Sequence, residues 1–252
     1  MNGKTAIVTG GGGAIGRAIG RRLAEEGAIV GLFDIDAKAA EDAARDIGGA
    51  GGRAYAHAVD IVDYGAVKAA VAELEAEAGP IHILVNNAGF DRFARFLETK
   101  PEDWEEIIAI NLRGPLNLHH AVLPGMVERG AGKVVNIASD AARVGSSGEA
   151  VYSACKGGLV ALTKTLAREL ATKGVCLNVV CPGPTETPLL ASVARDSGSG
   201  DRLLEAFRRA TPMRRLGLPT DHPGVVAFLA SDEASFITGQ VISVSGGLTM
   251  SG

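Results

Sequence analysis

Short, unbroken apolar runs alternate along this chain with longer stretches whose apolar residues recur every three or four positions. Residues 4–9, 28–33, 54–59, 81–85, 133–138, 175–180 and 240–244 form the first set and read as strands. The run 81–85 shows no polar alternation, as expected of a sheet covered on both faces. The second set reads as helices. One follows Gly16, one runs on to Ala78, a long one spans 101–128, one carries Leu159, Leu162, Leu166 and Leu170, and a last covers 221–231. Within the long stretch Asn111 breaks the apolar pattern, and Gly114 with Pro115 predicts a kink. Strand and helix alternate throughout, with no repeat and no linker. That pattern predicts a single α/β domain on a doubly wound parallel sheet flanked by helices.

Composition narrows the functions. The 252 residues are 46% hydrophobic and 21% charged, ample for one buried core. A formal net charge of −4 argues against a nucleic-acid partner. No apolar run reaches membrane-spanning length and the first residues enter a strand directly, so a cytoplasmic protein with no membrane partner is expected. Cys155, Cys176 and Cys181 have no C-x-x-C spacing and are expected as reduced thiols filling small core spaces. No histidine has metal-ligand spacing, so no metal is expected; the adjacent His119 and His120 point to a helix flank or a subunit contact.

Loops at strand ends carry the candidate chemistry. The first strand runs into Gly10, Gly11, Gly12 and Gly13, then Ala14, Ile15 and Gly16, then a helix. Strand, glycine turn and helix N-terminus together suit a pyrophosphate, because the backbone can approach closely and free amides point outward. Asp34 ends the second strand, 18 residues past Gly16, where a carboxylate grips an adenosine ribose. It would repel a 2′-phosphate, which favours NAD over NADP; Arg17 leaves some room for NADP. As a helix cap Asp36 is better placed than Asp34. Asp60 and Ile61 close the third strand and suit an adenine amino group and ring, although Asp60 equally suits a helix cap. Asn86, Asn87, Ala88 and Gly89 end the fourth strand and are expected to tie that loop together beside the cofactor. Thr187 is set to bond a nicotinamide amide or to cap a helix.

Tyr152 and Lys156 stand at i and i+4 at the start of a helical pattern, hence on one face. A phenol near pKa 10 is a poor base at neutral pH, and a neighbouring ammonium favours its ionised form. Reaching about 7 needs roughly 4 kcal/mol, more than one lysine supplies, so a cationic nicotinamide ring is expected to assist. Ser139 is placed to bond the same substrate oxygen. The pair alone is a common chance pattern, and an ordinary surface Tyr and Lys explains it equally. Residues 188–218 change in character and read as a substrate lid rich in arginine: Arg195, Arg202, Arg208, Arg209, Arg214 and Arg215. These suit the phosphates of an acyl carrier, and suit a solvated face as well. Arg143 is a candidate for the substrate side or for an ion pair. Gly157 and Gly158 inside a helix predict close backbone contact, within the chain or with a second subunit.

The whole chain resembles the short-chain dehydrogenase/reductase family. The resemblance rests on T-G-G-G-G-A-I-G at 9–16, N-N-A-G at 86–89, Asn111, Ser139, Y-S-A-C-K at 152–156 and P-G-P-T-E-T at 182–187. It implies a Rossmann-type fold with a seven-stranded sheet, usually a homotetramer, and a catalytic set of Asn111, Ser139, Tyr152 and Lys156. It also implies cofactor contacts from Gly10, Gly12, Gly13, Ile15, Gly16, Asp34, Asp60, Ile61, Asn87, Ala88, Gly89, Tyr152, Lys156, Pro182, Gly183, Thr185 and Thr187. Asn111 would then relay a proton through water near Lys156. Ala14 departs from the pattern, which has glycine there, and puts the detailed pyrophosphate contact in question. Stretches 119–129, 136–152 and 236–250 are similar to members that use NAD to oxidise a ring hydroxyl beside a CoA thioester. The expected activity is therefore an NAD-dependent interconversion of a secondary alcohol and a ketone on a small-molecule substrate, a CoA thioester. A 3-oxoacyl thioester reductase, a sugar or polyol dehydrogenase and a non-catalytic NAD sensor are the rivals.

Overall fold

In the computed structural model, which describes residues 1–250, the apolar runs lie side by side as strands. They are β1 Thr5–Thr9, β2 Ile29–Asp34, β3 Arg53–Ala58, β4 Ile81–Asn86, β5 Gly132–Ile137, β6 Val175–Pro182 and β7 Val241–Val244. The helices between them are α1 Ala14–Glu25, α2 Ala37–Gly49, α3 Tyr64–Ala78, α4 Pro101–Ile108, α5 Gly114–Arg129, α6 Ala141–Val144, α7 Ala150–Leu170, α8 Pro188–Asp196, α9 Asp201–Ala210 and α10 Pro223–Ala230. The strands form one seven-stranded parallel sheet in the order β3-β2-β1-β4-β5-β6-β7. Every residue of β1 is buried, because helices cover both faces. On one face α1, α2 and α10 contribute Ile19, Leu23, Ala43, Ile47, Val226 and Leu229. On the other α3, α5 and α7 contribute Val67, Leu74, Leu118, Met126 and Ala167. Burying side chains such as Leu118 or Met126 completely is worth about 1.5–3 kcal/mol each. No helix among the described residues is long and apolar enough to cross a membrane.

The chain winds outward from β1 to β3, then crosses back to β4 beside β1. A reversal of this kind opens a crevice above the C-terminal strand ends, here above Thr9 and Asn86. Aspartates start the helices on its rim. Asp36 accepts from Ala39 N at 3.0 Å and caps α2. Asp63 accepts from Gly65 N and Ala66 N and caps α3, so Asp60 does not; Asp60 instead closes its own turn on Val62 N at 2.9 Å.

Several expectations are corrected. The irregularity in the long helix begins before Gly114 and Pro115. The helix is interrupted by a π-helical turn over Ala109–Arg113, and Pro115 sits in the first turn of α5, where its missing N–H is harmless. His119 is neither on a flank nor available to a partner. It is buried, its Nδ1 lies 2.6 Å from Pro115 O, and its Nε2 lies 3.2 Å from the Asn136 amide. Asn136 also bonds Asn86 and Thr163, each at 2.8 Å, which gives the sheet's buried polar side chains partners. His120 faces outward and meets the Tyr64 hydroxyl. At Gly157 and Gly158 a Cβ would lie 3.8 Å from Ala142 O and 3.5 Å from the Leu112 side chain, so within the chain no close approach requires a glycine there. Of the three free thiols, Cys155 and Cys181 are buried but Cys176 is only half-buried, beside Lys133.

Burial holds the His119 imidazole at about 4, against 6.5 for a free one. The neutral ring is therefore the stable form, and its contribution is complete above pH 6.5. It is lost as pH falls from 6.5 towards 4, by roughly 3 kcal/mol over the full interval. Urea unfolding at pH 7 and pH 4.5 checks this. The wild type is expected to lose roughly 2–3 kcal/mol more than His119→Asn over that step, since all other groups titrate in both proteins.

Candidate active site

Each strand end contributes one piece of a single cleft of about 990 Å³. At one end the turn after β1 meets the N-terminus of α1. Gly13 precedes that helix and no side chain caps it, so its first amides are unspent. Gly10, Gly13, Ala14 and Ile15 line the cleft there. Gly12 and Gly16 are set back from its lining. Gly12 gives its amide to Asp34 Oδ2 at 2.9 Å, and a Cβ on it would lie 2.6 Å from that of Ala39. A Cβ on Gly16 would lie 2.0 Å from Gly10 O. These two glycines let α1 and α2 close on the turn. Ala14 is the first residue of α1 and lines the cleft, so its methyl group sits where the family pattern has none.

Asp34 accepts from Gly12 N and from Asp36 N, and still lines the cleft. A carboxylate has about four lone-pair sites, so two remain for ribose hydroxyls. Asp60 and Ile61 line the same end. Asn87 stitches β4 to β1: its Nδ2 donates to Thr9 O at 3.0 Å and Gly10 O at 3.3 Å, while Thr9 Oγ1 accepts from the amides of Asn87 and Ala88. Asn86 plays no part there, being committed to Asn136. The unspent amides, the glycine-lined floor and the Asp34 carboxylate fit a dinucleotide with free ribose hydroxyls.

The other end gathers Ser139, Tyr152 and Lys156 against Pro182, Gly183, Thr185 and Thr187, with Ala88 and Gly89 between the two ends. Ser139 follows β5, and its hydroxyl bonds the Tyr152 phenol. Lys156 lies one turn along α7 from Tyr152, almost wholly buried, with Nζ 5.6 Å from the tyrosine ring centre and donating to Ile137 O at 3.1 Å. Asn111 is fully buried and does not line the cleft. The π turn aims its amide at Phe90 O (2.6 Å) and Ile107 O (2.9 Å). A Cβ on Gly89 would stand 3.2 Å from Asn111 Oδ1 and 3.3 Å from Lys156 Nζ, so both groups meet behind that glycine. Thr187 caps α8 through Leu190 N and donates to Thr185 O. The capping reading of this residue is therefore the observed one, although it also lines the cleft.

The expected electrostatics are reversed. Burial first, then the charges of Glu149 and Asp91, push the Tyr152 phenol upward; the Ser139 bond opposes them. Lys156 is itself lowered to about 8 by burial. Phe90, Asp91, Glu149, Leu189 and Phe207 also line the cleft, and sequence reasoning passed them over. Glu149 stands three residues before Tyr152, a spacing that was available as a signal. Arg143 is not among the residues that line the cleft; it donates to Ser243, which donates to Asp140. In the segment 188–218, Leu189, Leu190, Val193, Phe207 and Ala210 line the cleft. Its arginines are partly engaged, Arg209 with Glu205 at 3.1 Å and Arg215 with Asp221.

A parallel sheet with a dinucleotide crevice, and a tyrosine, serine and lysine at its far end, defines a Rossmann-type oxidoreductase. The chain belongs to the short-chain dehydrogenase/reductase family. The family model described as enoyl-(acyl carrier protein) reductase matches residues 12–249. Oxidoreductase UcpA of Salmonella typhimurium is 41% identical over 253 residues, covering 99% of this chain and 96% of that one. The structure of 3-ketoacyl-(acyl-carrier-protein) reductase from Brucella melitensis complexed with NADH is 35% identical, with a TM-score of 0.92 and 99% of each chain covered. A putative NAD(P)-dependent gluconate 5-dehydrogenase from Beutenbergia cavernae, with bound NADP at low occupancy, is 34% identical, with a TM-score of 0.91 over 98% of this chain and 97% of that one.

Proposed function

We propose that this protein is an NAD-dependent alcohol dehydrogenase that interconverts a secondary alcohol and a ketone on a hydroxyacyl-CoA such as 2-hydroxycyclohexanecarboxyl-CoA. The observation that carries the reading is one cleft with a ribose-competent carboxylate, Asp34, at one end and Ser139, Tyr152 and Lys156 at the other. When bound, oxidised NAD supplies the hydride acceptor and a positive charge beside the phenol. Tyr152 takes the carbinol proton, Ser139 donates a hydrogen bond to the developing oxygen charge, and Lys156 bonds the nicotinamide-side ribose and keeps a cation near the phenol. Asn111, which lies with Lys156 behind Gly89, holds the exit for that proton. The likeness of residues 119–129, 136–152 and 236–250 to 2-hydroxycyclohexanecarboxyl-CoA dehydrogenase supports the substrate. Arg195 and Arg202, which have no carboxylate partner among the described residues, suit its phosphates. The 188–218 segment acts as the lid, and the protein works as a cytoplasmic homotetramer. The deciding screen compares NAD reduction by cyclic and linear hydroxyacyl-CoA esters with reduction by their free acids; no turnover of any thioester sinks the substrate assignment.

The reverse reaction, reduction of a 3-oxoacyl carrier-protein thioester, is the second reading, supported by the Brucella relative. Cofactor choice tests the NAD assignment that both readings share. NAD is expected to exceed NADP in kcat/KM by about 100-fold, because Asp34 meets a 2′-phosphate charge to charge. Asp34→Ser is expected to narrow that ratio at least about tenfold, measured by initial rates with both cofactors. An NADP preference in the wild type would overturn the NAD assignment.

A further inference from the structure

Two stretches distant in sequence are clasped beside Tyr152. Ala94 N donates to Gly148 O at 3.0 Å. Gly148 has φ +86°, and a Cβ on it would lie 2.4 Å from the Phe93 ring, so glycine alone lets the ring close down. The clasp sets Asp91 against Glu149 on the cleft wall. Asp91 is only 5% exposed, and neither of its oxygens accepts a well-formed hydrogen bond. The side chain in bonding reach is the Glu149 carboxyl. Two touching carboxylates do not both ionise. Burial first and the Glu149 charge next hold Asp91 above the ordinary carboxylate range, with the Arg92 backbone and the Lys156 ammonium opposing them. Both acids also act on the Tyr152 phenol, which places them at the reacting end.

A substrate whose carbinol meets Tyr152 presents the neighbouring substituent to these oxygens. We infer that Asp91 and Glu149 together determine specificity, admitting a neutral or hydrogen-bond-donating group beside the reacting carbon and excluding a carboxylate there. The inference rests on the dehydrogenase reading above and sharpens its substrate class. A free β-hydroxy acid brings a further anion against a pair that already carries negative charge. An ester, thioester, amide or second hydroxyl adds no charge.

The test uses the full chain with two probe pairs. Ethyl 2-hydroxycyclohexanecarboxylate and its free acid are compared as substrates with NAD. Cyclohexanecarboxamide and cyclohexanecarboxylate are compared as ligands of the NAD-loaded protein by calorimetry. The neutral member of each pair is expected to win by about 30-fold or more, in KM rather than kcat. Asp91→Asn, which offers a donor in place of a lone pair, is expected to narrow both ratios at least about tenfold. Glu149→Gln serves as the second variant, and decides the matter if Asp91→Asn does not fold. Ratios equal in wild type and variants, or a wild-type preference for the acid, overturn the inference. If neither substrate turns over, the hydroxyacyl reading fails separately, and the calorimetric pair still decides whether the two acids select by charge.

Discussion

Tyr152→Phe is expected to lower kcat by about 10³-fold while leaving the affinity for NAD within a factor of about three. The ring stays, so the packing along α7 stays; only the hydroxyl that bonds Ser139 is removed. Without it neither Ser139, which is not a base at neutral pH, nor Lys156, which is turned to Ile137 O, takes its place. Stopped-flow measurement of NAD reduction, with cofactor binding followed by fluorescence, checks both halves. Turnover within tenfold of wild type would mean that the phenol is not the base. The environment of Tyr152 makes the requirement sharper. Burial and two carboxylates raise its proton affinity, so positive charge must be delivered to it before it can act at neutral pH. Lys156, lowered to about 8, is still mostly protonated at pH 7 and supplies part of that charge.

Gly16→Ala carries the second large effect, on the fold and the cofactor together. The new methyl carbon would stand 2.0 Å from Gly10 O and 2.8 Å from Asn87 Nδ2. The first obstacle is backbone and cannot rotate away, so α1 must retreat from the turn. Overpacking of this kind costs about 1–3 kcal/mol. The retreat also withdraws the unspent amides from the cleft, and NAD affinity is expected to fall at least about tenfold. Gly13→Ala is the control, because its Cβ would lie 3.3 Å from Gly10 O, an approach a small shift relieves. Denaturant unfolding and NAD titration of both variants are the measurements; equal behaviour would remove the packing argument.

The comparison of these glycines shows what was legible in the sequence. The turn itself could be read, since four consecutive glycines between an apolar run and a helix have few other uses. Which of them faces the cofactor could not, because that depends on how closely α2 approaches Gly12 and how closely Gly10 O approaches Gly16. The strands were legible for the same reason that they are buried: unbroken apolar runs need cover on both faces. The reading of β6 stopped short of its end, since a Cys-Pro pair looks like a terminus. Yet Pro182 still pairs with Val244, and its carbonyl accepts from Asp140 N. Ser139, Tyr152 and Lys156 were picked out by the family resemblance, since the Tyr–Lys spacing alone is common by chance. Asp91 and Glu149 were not, because their encounter depends on a clasp formed in three dimensions. His119 was misjudged for a related reason: helical periodicity says which residues share a face, but not that a polar one will find Asn136 waiting inside.

The π turn before α5 has a bearing on how this scaffold can be altered. A loop tolerates insertion or deletion because its ends absorb the change. Here one surplus residue is stored inside a continuous helix, and the side chain behind the lysine is mounted on it. Trimming that surplus to regularise the helix would rotate everything upstream by roughly 100° about the axis, as one residue does in an α-helix. The irregular turn is thus the mounting bracket of the reaction centre, and an engineer seeking a tidier, stiffer helix at this place would be unscrewing it.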